Sequence, residues 1–180
     1  MVKHFPGHGS APENSHTSVP VSAATRADFE TIHLPPFRAA IAAGAQGVMI
    51  GHFVAPAFDA LHVASQSATI IEDLLRGDLG FEGLAISDDL EMAAASGRPG
   101  AVGTASAAVL GEVAVASLAA GCDLLIATST LARRSAIEQA IVGAVQSGAL
   151  SEERLDQAVT RILLVKAEHS VLVPGVTPRN

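Results

Sequence analysis

The residues able to do chemistry fall in two short stretches. Lys3-His4-Phe5-Pro6-Gly7-His8-Gly9 puts a cation, two imidazoles, a proline and two glycines into seven positions, and Ser87-Asp88-Asp89 puts two adjacent carboxyls directly after the apolar run Leu84-Ala85-Ile86. A carboxylate at a strand end is a rigidly held nucleophile, base or charge stabiliser, and an imidazole moves protons near neutrality. Neighbouring strand residues point to opposite sides, so Asp88 and Asp89 are not expected to aim at one substrate atom. Either one serves chemistry and the other supports it, or both cap a following helix, where aspartate is favoured. Gly7 and Gly9 permit a sharp turn that brings His8 toward the same place, which suits a rigid binding loop, although an ordinary histidine-rich turn has the same composition. The imidazoles of His4, His8 and His16 are candidate metal ligands. Their spacing fits no HExxH pattern and no acidic ligand accompanies them, so neither a metal nor any other cofactor is expected.

The elements that must position these groups repeat one plan: an alanine-rich helical run, a glycine stop, then a short apolar strand ending in polar residues. The first unit runs from Pro36 through Ala43 to Gly44, then Val48-Met49-Ile50 and His52. The second runs from Ala68 through Arg76 to Gly77, then Leu84-Ala85-Ile86 and Asp88-Asp89; the third runs from about Ala105 through Ala120 to Gly121, then Leu124-Leu125-Ile126 and Thr128-Ser129. Short continuous apolar strands without alternation are those covered on both faces, as in a parallel α/β sheet. Two helices are expected to follow, over 131–147 with Gly148 as the stop and over 152–167 with Ser151 as the N-cap. The polar residues collect at carboxyl ends of strands, the edge that carries active sites in β/α barrels and in doubly wound sheets alike. Periodicity leaves both architectures open.

The chain has 180 residues, 49% of them hydrophobic, which fits one domain with a core of its own. Eleven Lys and Arg against 18 Asp and Glu give a net charge of −7, so neither nucleic acid nor an acidic membrane surface is an expected partner. Cys122 is the single cysteine, which excludes an intramolecular disulfide framework and a multi-cysteine zinc module. The start lacks the basic and apolar regions of a signal peptide, and the apolar stretch 102–120, interrupted by Glu112, reads as a buried helix rather than a membrane span, so the expected location is cytoplasmic. His33, His62 and His169 read as solvated, and Cys122 as a small core hydrophobe.

Taken in order, Lys3-His4-Phe5-Pro6-Gly7-His8-Gly9, Ser15-His16, Met49-Ile50-Gly51-His52, Gly80-Phe81-Glu82-Gly83 and Ser87-Asp88-Asp89-Leu90-Glu91-Met92, with Ala120-Gly121-Cys122-Asp123 beyond them, closely resemble family 3 glycoside hydrolases of the β-N-acetylglucosaminidase (β-hexosaminidase) type. The resemblance runs to about Glu168. It implies a TIM-like (β/α)8 barrel and retaining hydrolysis of terminal N-acetylglucosamine, typically in peptidoglycan fragments, with an N-acetylglucosamine-containing saccharide as the partner. Asp88 matches the family's nucleophile and His16 its histidine acid/base, on a mobile loop. Lys3 and His4 match sugar-binding positions. His52, at a strand end, is read either as a contact of the mouth or as a packed imidazole, and Met92 as an apolar wall for the sugar or as core filling.

The chain departs from the family pattern in two ways. Asn14 stands where the family has the aspartate that orients and charges the histidine; an amide accepts one hydrogen bond but brings no negative charge. In a serine-protease triad a comparable Asp-to-Asn change lowers turnover by about ten-thousand-fold. The second departure is length, since a (β/α)8 barrel takes ~250 residues and only four strands are legible here. The expected organisation is therefore a partial barrel over residues 1–170, about four β/α units with closing helices, and a surface tail over 171–180. Open strand edges are expected to pair with a second copy or with a chain supplying the other half-barrel, unless Met1 opens a shortened reading frame. Two alternatives stand beside the hydrolase: a non-catalytic remnant or interaction module, and a phosphorylase that uses phosphate in place of water, which an uncharged residue 14 would repel less.

Overall fold

The computed structural model describes residues 1–97 and 106–169. The expected tail over 171–180 and the start of the third helical run near residue 105 lie outside them.

The three apolar runs and the stretch Val2–Phe5 form one sheet. Strands β1 (Val2–Phe5), β2 (Gly47–Ile50), β5 (Leu84–Asp89) and β6 (Leu124–Ile126) lie side by side in that order, all parallel. Between β2 and β5 the register runs from Gly47 opposite Leu84 to Ile50 opposite Ser87. The order rises along the chain without reversing, which is the progression of a barrel wall; a doubly wound sheet would switch direction in its middle. The flavodoxin-like alternative is thereby removed, and the fold is an α/β arc of a (β/α)8-type barrel. Among the described residues the two end strands, β1 and β6, each pair on one side only.

Outward strand residues Phe5, Val48, Ile50 and Ala85 pack into a buried cluster with Phe29, Leu34, Phe37, Ile70, Ile71 and Leu75. Those partners come from α1 (Arg26–Asp28) with its π-helical continuation Phe29–His33, from α2 (Pro35–Ala42), and from the π-helical segment Thr69–Asp78. A second cluster joins Leu110, Val113 and Ala114 of α3 (Ala107–Ala119) to Leu90 and to Ile137 of α4 (Leu131–Ser147). The last helix, α5 (Glu152–Glu168), starts at Ser151, whose hydroxyl accepts a hydrogen bond from Arg154 N. Among the described residues no helix is long and apolar enough to cross a membrane.

Glycine ends most runs where expected, with Gly44, Gly121 and Gly148 at positive φ. The exception is Gly77, which lies inside the helix; the segment continues to Asp78 and turns at Gly80 with φ +66°. Gly121 is held to glycine twice over, by φ +115° and by Ile71 Cγ2, which would lie 2.8 Å from an added Cβ. The hairpin of β3 (Val54–Ala55) and β4 (Asp59–Val63) was not anticipated; it follows β2 and so stands at the mouth edge.

Candidate functional site

Parallel pairing brings the ends of β1, β2, β5 and β6 to one edge. From β1, His4 Nε2 comes within 3.3 Å of Asp88 Oδ2 on β5. Burial pushes the His4 imidazole below its ordinary value; the Asp88 carboxylate pulls the other way, and the charges of Lys3, His8 and His16 add to the lowering. Asp88 is otherwise lightly held, its Oδ1 accepting from the neighbouring Asp89 N at 2.8 Å. Asp89 turns away, as strand alternation requires. Its Oδ1 accepts from Glu91 N at 3.1 Å and Thr128 N at 3.2 Å, and its Oδ2 accepts from the Thr128 hydroxyl, tying β5 to the loop after β6. The pair thus divides, with Asp88 facing the mouth and Asp89 serving the scaffold.

The loop that carries His16 leaves β1 through a tight turn. Gly7 adopts φ +141°, and a Cβ there would meet His33 Cβ at 2.6 Å, so the close passage needs glycine. Beyond it, Ser10 Oγ and Ser22 Oγ close the loop at 2.6 Å, Ala94 N donates to Ser15 O at 3.2 Å, and Val54 exchanges backbone bonds with Pro20 and Ser22. Hydrogen bonds thus hold the loop at both ends and near its tip. Asn14 organises that tip: its carbonyl accepts from Thr17 N and Ser18 N, and its Oδ1 accepts from His16 N at 2.9 Å. The amide therefore serves the His16 backbone, and the ring has no hydrogen-bond partner among the described residues.

These groups enclose a cavity of about 610 Å³ lined by Lys3, His4, His8, Glu13, His16, Asp88 and Met92, among others. Five of the seven residues singled out in the sequence thus share one wall: Asp88, His16, Lys3, His4 and Met92. Met92 is 6% exposed and lies on the cavity wall. Asn14 is not on that wall. His52 departs from a contact role, because its side chain is fully buried under the strand end, with Nδ1 2.7 Å from Ser65 Oγ, and has no surface to offer a sugar. Burial pushes its pKa down, against the pull of the Asp88 carboxylate and of the Asp88 and Asp89 backbone.

Two further residues, Glu13 and His8, reach the wall. Glu13 lines the cavity while its Oε2 accepts weakly from Val21 N at 3.4 Å. His8, expected near the mouth without a role, lies 5.0 Å from the Phe53 ring, and its Nε2 is buried with no hydrogen-bond partner. Among the described residues no group of three or more His, Cys, Asp or Glu is arranged to hold a metal ion. The cavity sets the Asp88 carboxylate and the His4, His8 and His16 imidazoles around a space of small-molecule size.

Comparison with known proteins points to one family. The β-hexosaminidase of Xylella fastidiosa (strain M12) is 39% identical over 163 residues, 86% of this chain and 46% of that protein. A β-N-acetylglucosaminidase/β-glucosidase of Cellulomonas fimi is 35% identical over 176 residues, 92% of this chain and 29% of that one. The solved structure of a glycoside hydrolase family 3 β-N-acetylglucosaminidase from Paenibacillus sp. str. FPU-7 superposes with a TM-score of 0.85 at 38% identity, covering 99% of this chain and 32% of that one. The chain thus spans about half the length of the Xylella relative, and less of the other two. With residues 1–165 matching the glycosyl hydrolase family 3 N-terminal domain, the chain belongs to glycosyl hydrolase family 3.

Proposed function

We propose that this chain carries the nucleophile-bearing part of a retaining β-N-acetylhexosaminidase, with residues 1–170 as its barrel portion. The reading rests on one observation: Asp88 and His16 line a single cavity together with Lys3 and His4. An Asp88 oxygen attacks the anomeric carbon, the glycosidic C–O bond breaks, and protonated His16 gives its proton to the departing oxygen. Neutral His16 then takes a proton from water, whose oxygen displaces Asp88 from the anomeric carbon and restores both groups. Lys3 and His4 hydrogen-bond sugar hydroxyls, and Met92 supplies an apolar wall. The substrate is a terminal N-acetylglucosaminide of the kind found in peptidoglycan fragments. The single-sided end strands are where a complementing half-barrel, or a second copy, pairs.

The test is covalent. A fluorinated N-acetylglucosaminide with an activated leaving group should label the chain at Asp88, alone or mixed with the remaining half of a family relative, as read by mass spectrometry of the peptide that contains it. A label on another residue, or none in either setting, overturns the assignment. Adding phosphate should leave the turnover of a chromogenic N-acetylglucosaminide unchanged. Accumulation of a sugar 1-phosphate would favour the phosphorylase, the reading that the uncharged Asn14 supports.

A further inference from the structure

Asp88 owes little of its aim to its own side-chain contacts. It accepts one hydrogen bond from the adjacent amide and faces His4 at 3.3 Å, so its direction is set by the backbone at the end of β5. What lies against that backbone then matters. In the β2–β5 register Ile50 stands opposite Ser87, so the chain just past β2, where His52 sits, runs beside Asp88 and Asp89. His52 and Ser65 are both fully buried there, joined by a 2.7 Å hydrogen bond between Nδ1 and Oγ.

We propose that Ser65 and His52 form a positioning pair that fixes the end of β5, and with it the Asp88 carboxylate. The inference rests on reading Asp88 as the nucleophile and assigns no contact with substrate to either residue. Ser65 Oγ has no other hydrogen-bond partner among the described residues, so its proton is free to go to Nδ1. That places the ring proton on Nε2. Nε2 is buried, and no acceptor reaches it in hydrogen-bond geometry. The backbone of Asp88 and Asp89 nonetheless attracts a proton on this ring. The opposite tautomer would put an Nε2 lone pair where that backbone favours a proton. A leucine would fill the same space with no polar group to satisfy, so the imidazole is there for its direction rather than its volume.

The experiment compares the full chain with Ser65→Ala, His52→Gln and His52→Leu, each checked for folding by thermal melting. The ring nitrogen NMR spectrum should show His52 as the neutral Nε2–H tautomer, and Ser65→Ala should disturb it. Amide hydrogen exchange at residues 87–90 should quicken in Ser65→Ala and His52→Leu and much less in His52→Gln, whose side-chain amide can take the place of Nε2–H. Turnover of the chromogenic N-acetylglucosaminide should fall roughly 10²-fold in kcat for His52→Leu with KM unchanged, the loss expected from slight misplacement of a reacting group. His52→Gln should recover most of it. An Nδ1–H tautomer, or a folded Ser65→Ala variant with unaltered exchange at 87–90, overturns the proposal. If the unaltered chain neither turns over nor is labelled, the hydrolase reading falls, and tautomer and exchange alone decide for or against the pair.

Discussion

Asp88 and Asp123 are both strand-end aspartates, at opposite edges of one sheet. Asp123 sits just before β6 with its side chain fully buried. Its Oδ1 accepts from Arg154 Nη2 at 2.9 Å and Arg161 Nη1 at 3.0 Å, and its Oδ2 accepts from Arg76 Nη2 at 2.6 Å and Ala85 N at 3.0 Å. Arg154 reaches on to the carbonyls of Leu118 and Cys122, so one carboxylate joins the Thr69–Asp78 segment, α5 and β5 at the N-terminal edge. Burial pulls the Arg76 guanidinium below its ordinary value, and Asp123 opposes that pull. Asp88 has one amide and one imidazole beside it and a cavity in front. A carboxylate whose lone pairs are all committed holds structure, while one left half-committed is available to react.

Substitutions at the two edges should therefore fail in different ways. The largest effect expected is on rate: Asp88→Asn keeps the shape and should lower turnover by about 10⁴-fold or more with an unchanged melting temperature. A variant that retains turnover would erase the distinction. Asp123→Ala should act in reverse, costing about 3–5 kcal/mol by leaving buried guanidiniums unpaired, with the remaining folded molecules still labelled at Asp88. Calorimetry and labelling on one sample would separate the two. Next comes His16→Ala, expected to slow poor leaving groups by about 10²-fold and to spare activated ones. Asn14→Asp should keep the bond to His16 N, add charge, and lift the basic limb of the pH–rate profile by about one unit.

The smallest effect is on stability against pH. His52 has a folded pKa below the ordinary 6.5, so the unfolded chain takes up the proton first. Its stability contribution is complete above about 6.5 and declines as pH falls from there through the depressed value. Asp59 adds a second limb at lower pH. Burial works to raise its carboxyl, but bonds from Leu61 N, Ser67 Oγ and His62 outweigh that and hold it at about 2, against 3.8 ordinarily. Its contribution is lost as pH falls between those values. Thermal melts across pH should show both limbs, and His52→Gln should reduce only the first, leaving the share that the depressed His4 contributes to it.

Much of the mouth was legible because strand ends announce themselves: an apolar run, then a change to polar residues. The same pattern located β2, β5 and β6, and glycine marked the ends of α2, α3 and α4. Gly77 misled because Leu79 N continues the helical bonding to Leu74 O, which placement of glycine alone does not reveal. The hairpin after β2 was missed since its strands are short and Pro56 interrupts them, although Asp59 caps its return by accepting from Leu61 N and His62 N. The helix at residue 26 carried a readable signal in Thr25 and Asp28, which form a capping box. Arg154 and Arg161, seven apart on one helix, hinted at a common acidic partner, but Asp123 is met only through folding. His52 illustrates the limit most clearly, because position at a strand end does not say whether a side chain turns into the mouth or beneath it.

The strand order has a consequence for how the molecule would fail. β5 is flanked by ladders on both sides, whereas β1, which bears Lys3 and His4, is a border strand. Fraying starts at borders, where half the restraining bonds are missing. If the proposed roles hold, gentle warming of the chain by itself would erode the grip of Lys3 and His4 on the sugar while leaving the Asp88 oxygen in place, so recognition would wear out before reactivity does.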